Sequence, residues 1–289
     1  MSVILCAPGG NQSLGPPNQR APMPSPRPSP DAVNRPSNLP RELLRQAITH
    51  RVVPTLLGRA ANGDKARVLP SEAAVLELAG HVLEESIEPA RQLVRDQLGI
   101  GVSTEDMYMY LLAPAARVLG RHWETDTCNF VEVTWGMGQL QQLLREHPLS
   151  RPVSGLASPG QVLLCPLPGE QHTFGLSMVA EFLLQAGWVV QRQQFTHQAE
   201  AVSWIQRHNV QVVALSVGHT SGTAPLAELA RALRTASANP NLVLLAGGAG
   251  LADLDIPATH LGLNAVAGTA PDVARLAAQY LQPNFKAHR

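Results

Sequence analysis

A chain of 289 residues with 45% hydrophobic side chains is long enough for one large domain or two ordinary ones with real cores, built from Ala, Leu and Val because aromatics are only 4%. Lys plus Arg equals Asp plus Glu at 22 each, so no global charge recruits nucleic acid, and only a local patch remains open for it. Three cysteines without a CxxC pair or zinc spacing fit a reducing compartment. No run of 18 apolar residues predicts a membrane span, and residues 1–6 lack the charged region of a secretory signal, so a cytoplasmic protein is expected.

Residues 1–40 hold ten of the 24 prolines and four charged residues. Such a stretch neither continues a helix nor buries enough apolar surface to offset the entropy of ordering, so a disordered leader is predicted. Residues 41–150 read as a helical domain. Its first segment carries Leu43, Leu44, Ile48, Val52, Val53, Leu56 and Leu57 at helical spacing, with six Lys or Arg against two acids between Arg41 and Arg67. A solvated face explains that charge more simply than a contact with DNA phosphates, yet this is where partner contacts are expected.

From Ser71 the pattern is helical for about eighty residues. Ser71 and Ser103 have the character of N-caps, and Asp106 three residues after Ser103 suggests a capping box. Pro114 predicts a kink near Leu111 in a helix that ends near Glu124. The next helix runs from about Cys128 to His147, with Phe130, Val133, Met137, Leu140 and Leu144 on one side. Four or five such helices imply a bundle. Residues 151–159 are a linker rich in Pro, Gly and Ser.

Residues 159–284 alternate strand and helix. Strands are predicted at Val162–Leu167, Trp188–Gln191, Val210–Val217, Leu242–Ala246 and Ala265–Gly268. Each is followed by a helical pattern, the one after the fourth strand a short helix at Leu251–Leu254. Val- and Leu-rich strands in such alternation imply a parallel sheet covered on both faces, flavodoxin-like with order 2-1-3-4-5. The fold class is therefore a helical bundle followed by a five-stranded α/β domain.

In such a sheet the strand-to-helix loops share one edge, where ligands bind. They are Glu170–Gly175, Ser216–Gly222, Gly247–Gly250 and Gly268–Pro271. Neither GxxxxGK[ST] nor GxGxxG is present, which disfavours the common nucleotide sites, and no GxSxG elbow suggests a hydrolase. His172 projects a metal-competent imidazole into an edge otherwise made of glycines and hydroxyls. That suits a large, flat, metal-bearing ligand better than a phosphate. His219 in the third loop is a further contact candidate, and an ordinary surface histidine is an equal reading.

Glu170-x-His172-x-x-Gly175, then Ser216-x-Gly218, then Gly247-Gly248 resembles the cobalamin-binding pattern DxHxxG…SxL…GG, over residues 161 to about 282. The resemblance implies a cobalamin bound with its own base displaced and His172 as the lower axial ligand of cobalt. It implies that Glu170 orients that histidine, that Ser216 meets the displaced nucleotide tail, and that Gly247 and Gly248 let the tail pass. Thr173, Val217 and Thr269 complete the expected contact set. Glu170 stands where the pattern has Asp, and Gly218 where it has Leu.

The helices before the sheet resemble the cap over the corrin's upper face in methionine synthase and light-sensing cobalamin regulators. The mark of that cap is a Trp, nine residues, then Glu-His. Trp123 is in place, Val133-Thr134 stand where Glu-His would be, and Glu132 lies one residue early. Trp123 and Glu132 are therefore candidate upper-face residues, with Trp135 as another aromatic wall; burial of both tryptophans in the bundle core is an equal reading. A small upper ligand, as in hydroxocobalamin or aquocobalamin, is expected ahead of adenosylcobalamin or methylcobalamin.

The layout is similar to the AerR/PpaA group of bacterial cobalamin-binding antirepressors. That resemblance implies a light- and B12-responsive regulator, not an enzyme, acting on a CrtJ/PpsR-type transcriptional repressor of photosynthesis genes, with no membrane partner. The alternative is a corrinoid methyl carrier of a methyltransferase system.

Overall fold

The computed structural model describes residues 67–152, 158–171, 173–218, 223–252 and 255–282. The expected leader, the basic helix before Arg67, His172 and His219 lie outside them. The described residues belong to one compact unit that begins at Ala66.

The helical layer starts where the sequence offers caps. Ser71 accepts a hydrogen bond from the Ala74 backbone N–H and opens α1, Glu72–His81. Helix α2 is Glu88–Gly99. Ser103 accepts from the Asp106 N–H and opens α3, Thr104–Met107. The expected box at Ser103 is only half formed, because the Asp106 carboxylate pairs with the Arg67 guanidinium instead. The chain then takes a π-helical turn, Tyr108–Leu112, before α4, Ala113–Glu124. Pro114 explains the turn. It lacks an N–H and its ring crowds the carbonyl four residues back, so the wider turn accommodates it where a kink was expected.

Helix α5, Phe130–Glu146, follows a full capping box: the Asn129 side chain accepts from the Val131 and Glu132 N–H groups, while the Glu132 carboxylate accepts from the Asn129 N–H at 2.8 Å. Only its later part is buried, through Gly136, Gln139, Leu140, Leu143 and Leu144. Gly136 is where α5 packs hardest. A Cβ there would lie 3.0 Å from Leu119 and 3.2 Å from Leu83.

The sheet unit comprises β1 Gln161–Pro166, α6 Phe174–Gln185, β2 Val189–Arg192, α7 Gln198–Arg207, β3 Val212–Ser216, α8 Thr223–Ala236, β4 Val243–Gly247, β5 Ala265–Ala267 and α9 Ala270–Tyr280. Two short 3-10 turns, Ala249–Leu251 and Ala258–Leu261, lie between β4 and β5. The order is β2-β1-β3-β4-β5 and every pairing is parallel, as expected. The central strands are buried on both faces, which is why they read as unbroken Val and Leu runs. Alternate residues feed two cores. Leu163, Val213 and Leu244 face α7 and α8, whereas Val162, Val212 and Leu245 pack with α6 and α9 residues such as Leu183 and Ala277.

Helix α6 joins the layers. Phe174, Met178 and Phe182 enter the core of the helical layer, where the Phe182 ring meets Tyr108 edge-on at 6.2 Å between centroids. Tyr108 is fully buried, with its hydroxyl donating to the carbonyls of Leu144 and His147. Burial raises its pKa well above the ordinary phenol value. The Glu181 carboxylate accepts from the Leu149 N–H and from Arg151, and Gln185 donates to Glu105. No helix among the described residues is long and apolar enough to cross a membrane.

Candidate functional site

Parallel pairing puts the loops after β1, β3, β4 and β5 on one edge. The loop after β1 is fixed by its backbone: Leu167 N–H donates to the Ser216 carbonyl, Gly169 N–H to the Phe195 carbonyl and Glu170 N–H to the Leu167 carbonyl, each at 3.0 Å. Gly169 has a φ of +84°, the left-handed region in which glycine carries no Cβ penalty. Gln194, beyond β2, donates to the Glu170 carbonyl. The half-buried Glu170 carboxylate receives the Gly218 N–H on both oxygens, each at 3.0 Å. Glu170 thus gathers three loops.

The loop after β4 is stitched to that after β3. Val217 N–H donates to the Gly247 carbonyl at 2.9 Å, and Gly250 N–H donates to the Val217 carbonyl at 3.0 Å. The glycines are required by this contact. A Cβ on Gly250 would fall 2.1 Å from the Gly218 oxygen, and one on Gly248, whose φ is +117°, would fall 2.5 Å from the Val217 oxygen. A Cβ on Gly247 would meet the Ala267 oxygen at 2.8 Å. The expectation that Gly247 and Gly248 leave a passage is therefore modified: the space their missing side chains leave is filled by neighbouring backbone, and a ligand tail passing there requires the loops to part.

Gly175 differs. It is exposed in the first turn of α6, and a Cβ on it would meet nothing within 4 Å. Protein packing does not demand glycine here, so its small size leaves room for a ligand resting on the edge. Thr173, half-buried, precedes α6 without capping it through its side chain. Ser216 is half-buried, and its carbonyl accepts from Leu167. The Thr269 hydroxyl is engaged within the protein, donating to Asp272 at 2.7 Å at the start of α9. That bond first, then Arg275, holds the Asp272 carboxyl below its ordinary pKa.

The helical layer presents its candidates at one end. Trp123 is 49% exposed, Trp135 51%, Phe130 69% and Val131 73%. Trp123 and Phe130 meet edge-on at 6.1 Å. Trp135 donates its indole N–H to the Glu84 carbonyl at 2.9 Å, which fixes the ring although it is half exposed. Phe130, expected on one side of its helix with Val133, Met137, Leu140 and Leu144, is exposed, and the buried residues of α5 begin only at Gly136. Glu132 is committed to the capping box, so its carboxylate has a structural partner already. His122 lies 3.8 Å from the Cys128 sulfur in the turn between α4 and α5.

Among the described residues, no three His, Cys, Asp or Glu side chains cluster in a way that would hold a metal ion directly. A corrin carries its own four equatorial nitrogens and asks the protein for an axial ligand alone. The room at Gly175, the hydroxyls of Thr173 and Ser216, and the polar backbone of four convergent loops fit such a group. The residues that would hold it are Thr173, Gly175, Ser216, Val217 and Gly218, with Glu170 behind them.

Comparison with known proteins supports this. Residues 160–278 match the model of the B12 binding domain family. A Rhodobacter capsulatus protein described as an uncharacterized 20.5 kDa protein in the bchF-crtJ intergenic region is 39% identical over 90 residues. The matched segment is 30% of this chain and 46% of that protein, so the chain spans about half the length of this curated relative. The structure of the Methanosarcina barkeri monomethylamine corrinoid protein superposes with a TM-score of 0.59 at 16% identity, covering 72% of this chain and 99% of that one. The fold is thus one that a corrinoid protein also has, and residues 160–278 are similar to the B12 binding domain family.

Proposed function

We propose that this protein is a cytoplasmic, cobalamin-dependent regulator that responds to light, acts without catalysing a reaction, and relieves a CrtJ/PpsR-type transcriptional repressor of photosynthesis genes. The observation that carries the reading is the B12 binding domain match over the β2-β1-β3-β4-β5 unit, whose loops bear Glu170-x-His172-x-x-Gly175 and Gly247-Gly248. The relative from the bchF-crtJ region supports the regulatory half.

In this reading His172 would ligate the cobalt, and Glu170 holds the loop after β1. Thr173 and Ser216 would hydrogen-bond the corrin's polar groups, and Gly175 would leave it room. Trp123, Phe130 and Trp135 would offer it apolar surface and exclude water. Bound cobalamin would supply visible absorption and a light-labile upper ligand. The chain's own part is bistable packing: a change on the aromatic side alters how the helical layer sits on α6, and so the surface offered to a partner. Hydroxocobalamin or aquocobalamin is the preferred form, and the basic segment before Arg67 is the partner-facing one.

A corrinoid methyl carrier is the second reading, favoured by the fold shared with the monomethylamine corrinoid protein. One experiment separates them. The protein is mixed with hydroxocobalamin, with adenosylcobalamin, and with methylcobalamin and a thiol acceptor, and spectra are taken in the dark and after illumination, beside His172→Ala. A His172-dependent spectrum with preference for the photolysed form supports the regulator. Methyl transfer from methylcobalamin to a thiol acceptor without light dependence supports the carrier. No retained corrin under any condition rejects both.

A further inference from the structure

The two positions at which this chain departs from DxHxxG…SxL touch each other. Glu170 stands for Asp, Gly218 for Leu, and the Glu170 carboxylate sits on the Gly218 N–H through both oxygens at 3.0 Å. A Cβ on Gly218 would lie 3.2 Å from Oε1 and 3.4 Å from Cδ and Oε2 of that carboxylate. The acid occupies the place that a side chain at 218 would need. Conversely, an Asp at 170 is shorter by about 1.5 Å, one carbon–carbon bond, and falls short of the Gly218 N–H. Each departure makes sense only with the other.

The rest of Glu170 is held as firmly. Its N–H is bound to the Leu167 carbonyl at the end of β1 and its carbonyl to Gln194 beyond β2. With the backbone pinned on both sides, the carboxylate acts as a strut of fixed length between the loops after β1 and β3. A charge-assisted bond to a backbone N–H is stronger than a neutral one and constrains the acceptor closely.

We infer that Glu170 and Gly218 form one exchanged positioning pair, which sets the separation of the β1 and β3 loops and thereby the affinity for a corrin. The inference rests on the cobalamin reading above. Glu170 is a positioning residue in it: it reaches the corrin through the loop it holds.

The test is a double-mutant cycle on the full chain with hydroxocobalamin as the probe: Glu170→Asp, Gly218→Leu, and both together. Dissociation constants and bound-state spectra are taken in the dark, and urea unfolding is followed without corrin. Each single variant should bind about tenfold more weakly or worse, the size of coupling typical of contacting residues. The double variant, with a short acid and a side chain at 218, should return to within about threefold of wild type and regain its spectrum. Gly218→Ala, a smaller change, serves if Gly218→Leu fails to fold. Additive losses in the double variant, or a Gly218→Ala protein that binds as wild type does, overturn the pairing while leaving the cobalamin reading intact. A wild-type protein that retains no hydroxocobalamin overturns both; the unfolding cycle then tells whether the strut is real, since the contact exists without a ligand.

Discussion

The aromatic end of the helical layer and the loop edge of the sheet are both candidate ligand surfaces, built on opposite principles. At the aromatic end the backbone is finished, with α5 capped by Asn129 and Glu132, and large side chains stand out into solvent. At the loop edge there are few side chains, and neighbouring backbones approach until no Cβ fits at Gly248 or Gly250. One surface offers apolar area on a scaffold that does not need it. The other offers oriented N–H and carbonyl groups on a scaffold that does. Substitutions at the first should therefore cost little stability and change binding; at the second they should do both.

The largest expected effect is Gly250→Val. A Cβ 2.1 Å from the Gly218 oxygen forces the β3 and β4 loops apart, so a loss above about 3 kcal/mol is expected in urea unfolding. Stability near wild type would show that these loops part easily, and would weaken the contrast. Gly248→Ala should cost about 1–3 kcal/mol, since its φ of +117° is strained for any other residue and the Val217 oxygen is in the way. Trp135→Phe keeps the ring but loses the bond to the Glu84 carbonyl, which predicts a loss of about 1 kcal/mol in the same assay.

Acid should loosen the helical layer. The Asp106 carboxyl is held below its ordinary pKa by its hydrogen bond with Arg67 first; burial opposes this, and the Ser103 bond adds to the lowering. A depressed carboxyl stabilises the fold above its ordinary value, and that contribution fades as pH falls through the lower folded value. Unfolding midpoints measured from neutral pH down to about pH 3 should fall more steeply for wild type than for Asp106→Asn. Parallel curves would mean that the pair contributes nothing.

The smallest stability change belongs to Trp123→Ala and Phe130→Ala, each below about 1 kcal/mol because half of Trp123 and most of Phe130 are already exposed. Their effect should appear instead in the spectrum of bound hydroxocobalamin and its response to light. Unchanged spectra in both would remove the aromatic end from the site.

The sheet was legible because its strands are buried on both faces and the helices between them are bounded by caps and breakers. Gly187, at a φ of +87°, closes α6 as expected. Ser71 and Ser103 start helices for the same local reason. What stayed hidden was non-local. Periodicity assigns Phe130 to the apolar side of its helix, yet cannot say that the covered part of that side begins only at Gly136. The Glu170–Gly218 contact joins residues 48 apart, and each looked like a separate irregularity until the loops were placed side by side. Gly247 and Gly248 were recognisable as special, but the close approach that requires them is set by Val217 and Ala267.

The π-helical turn at Tyr108–Leu112 works like one extra tooth in a gear. Because it holds one residue more than an α-helical turn, everything after it is rotated relative to everything before it. Wound as an ordinary helix with no residue removed, the same segment would turn α4 by about 100°. Leu119, now fully buried, would swing outward, and Trp123 would leave the aromatic end. The phase of the whole upper surface is therefore set by one widened turn, well away in sequence from the residues it aims.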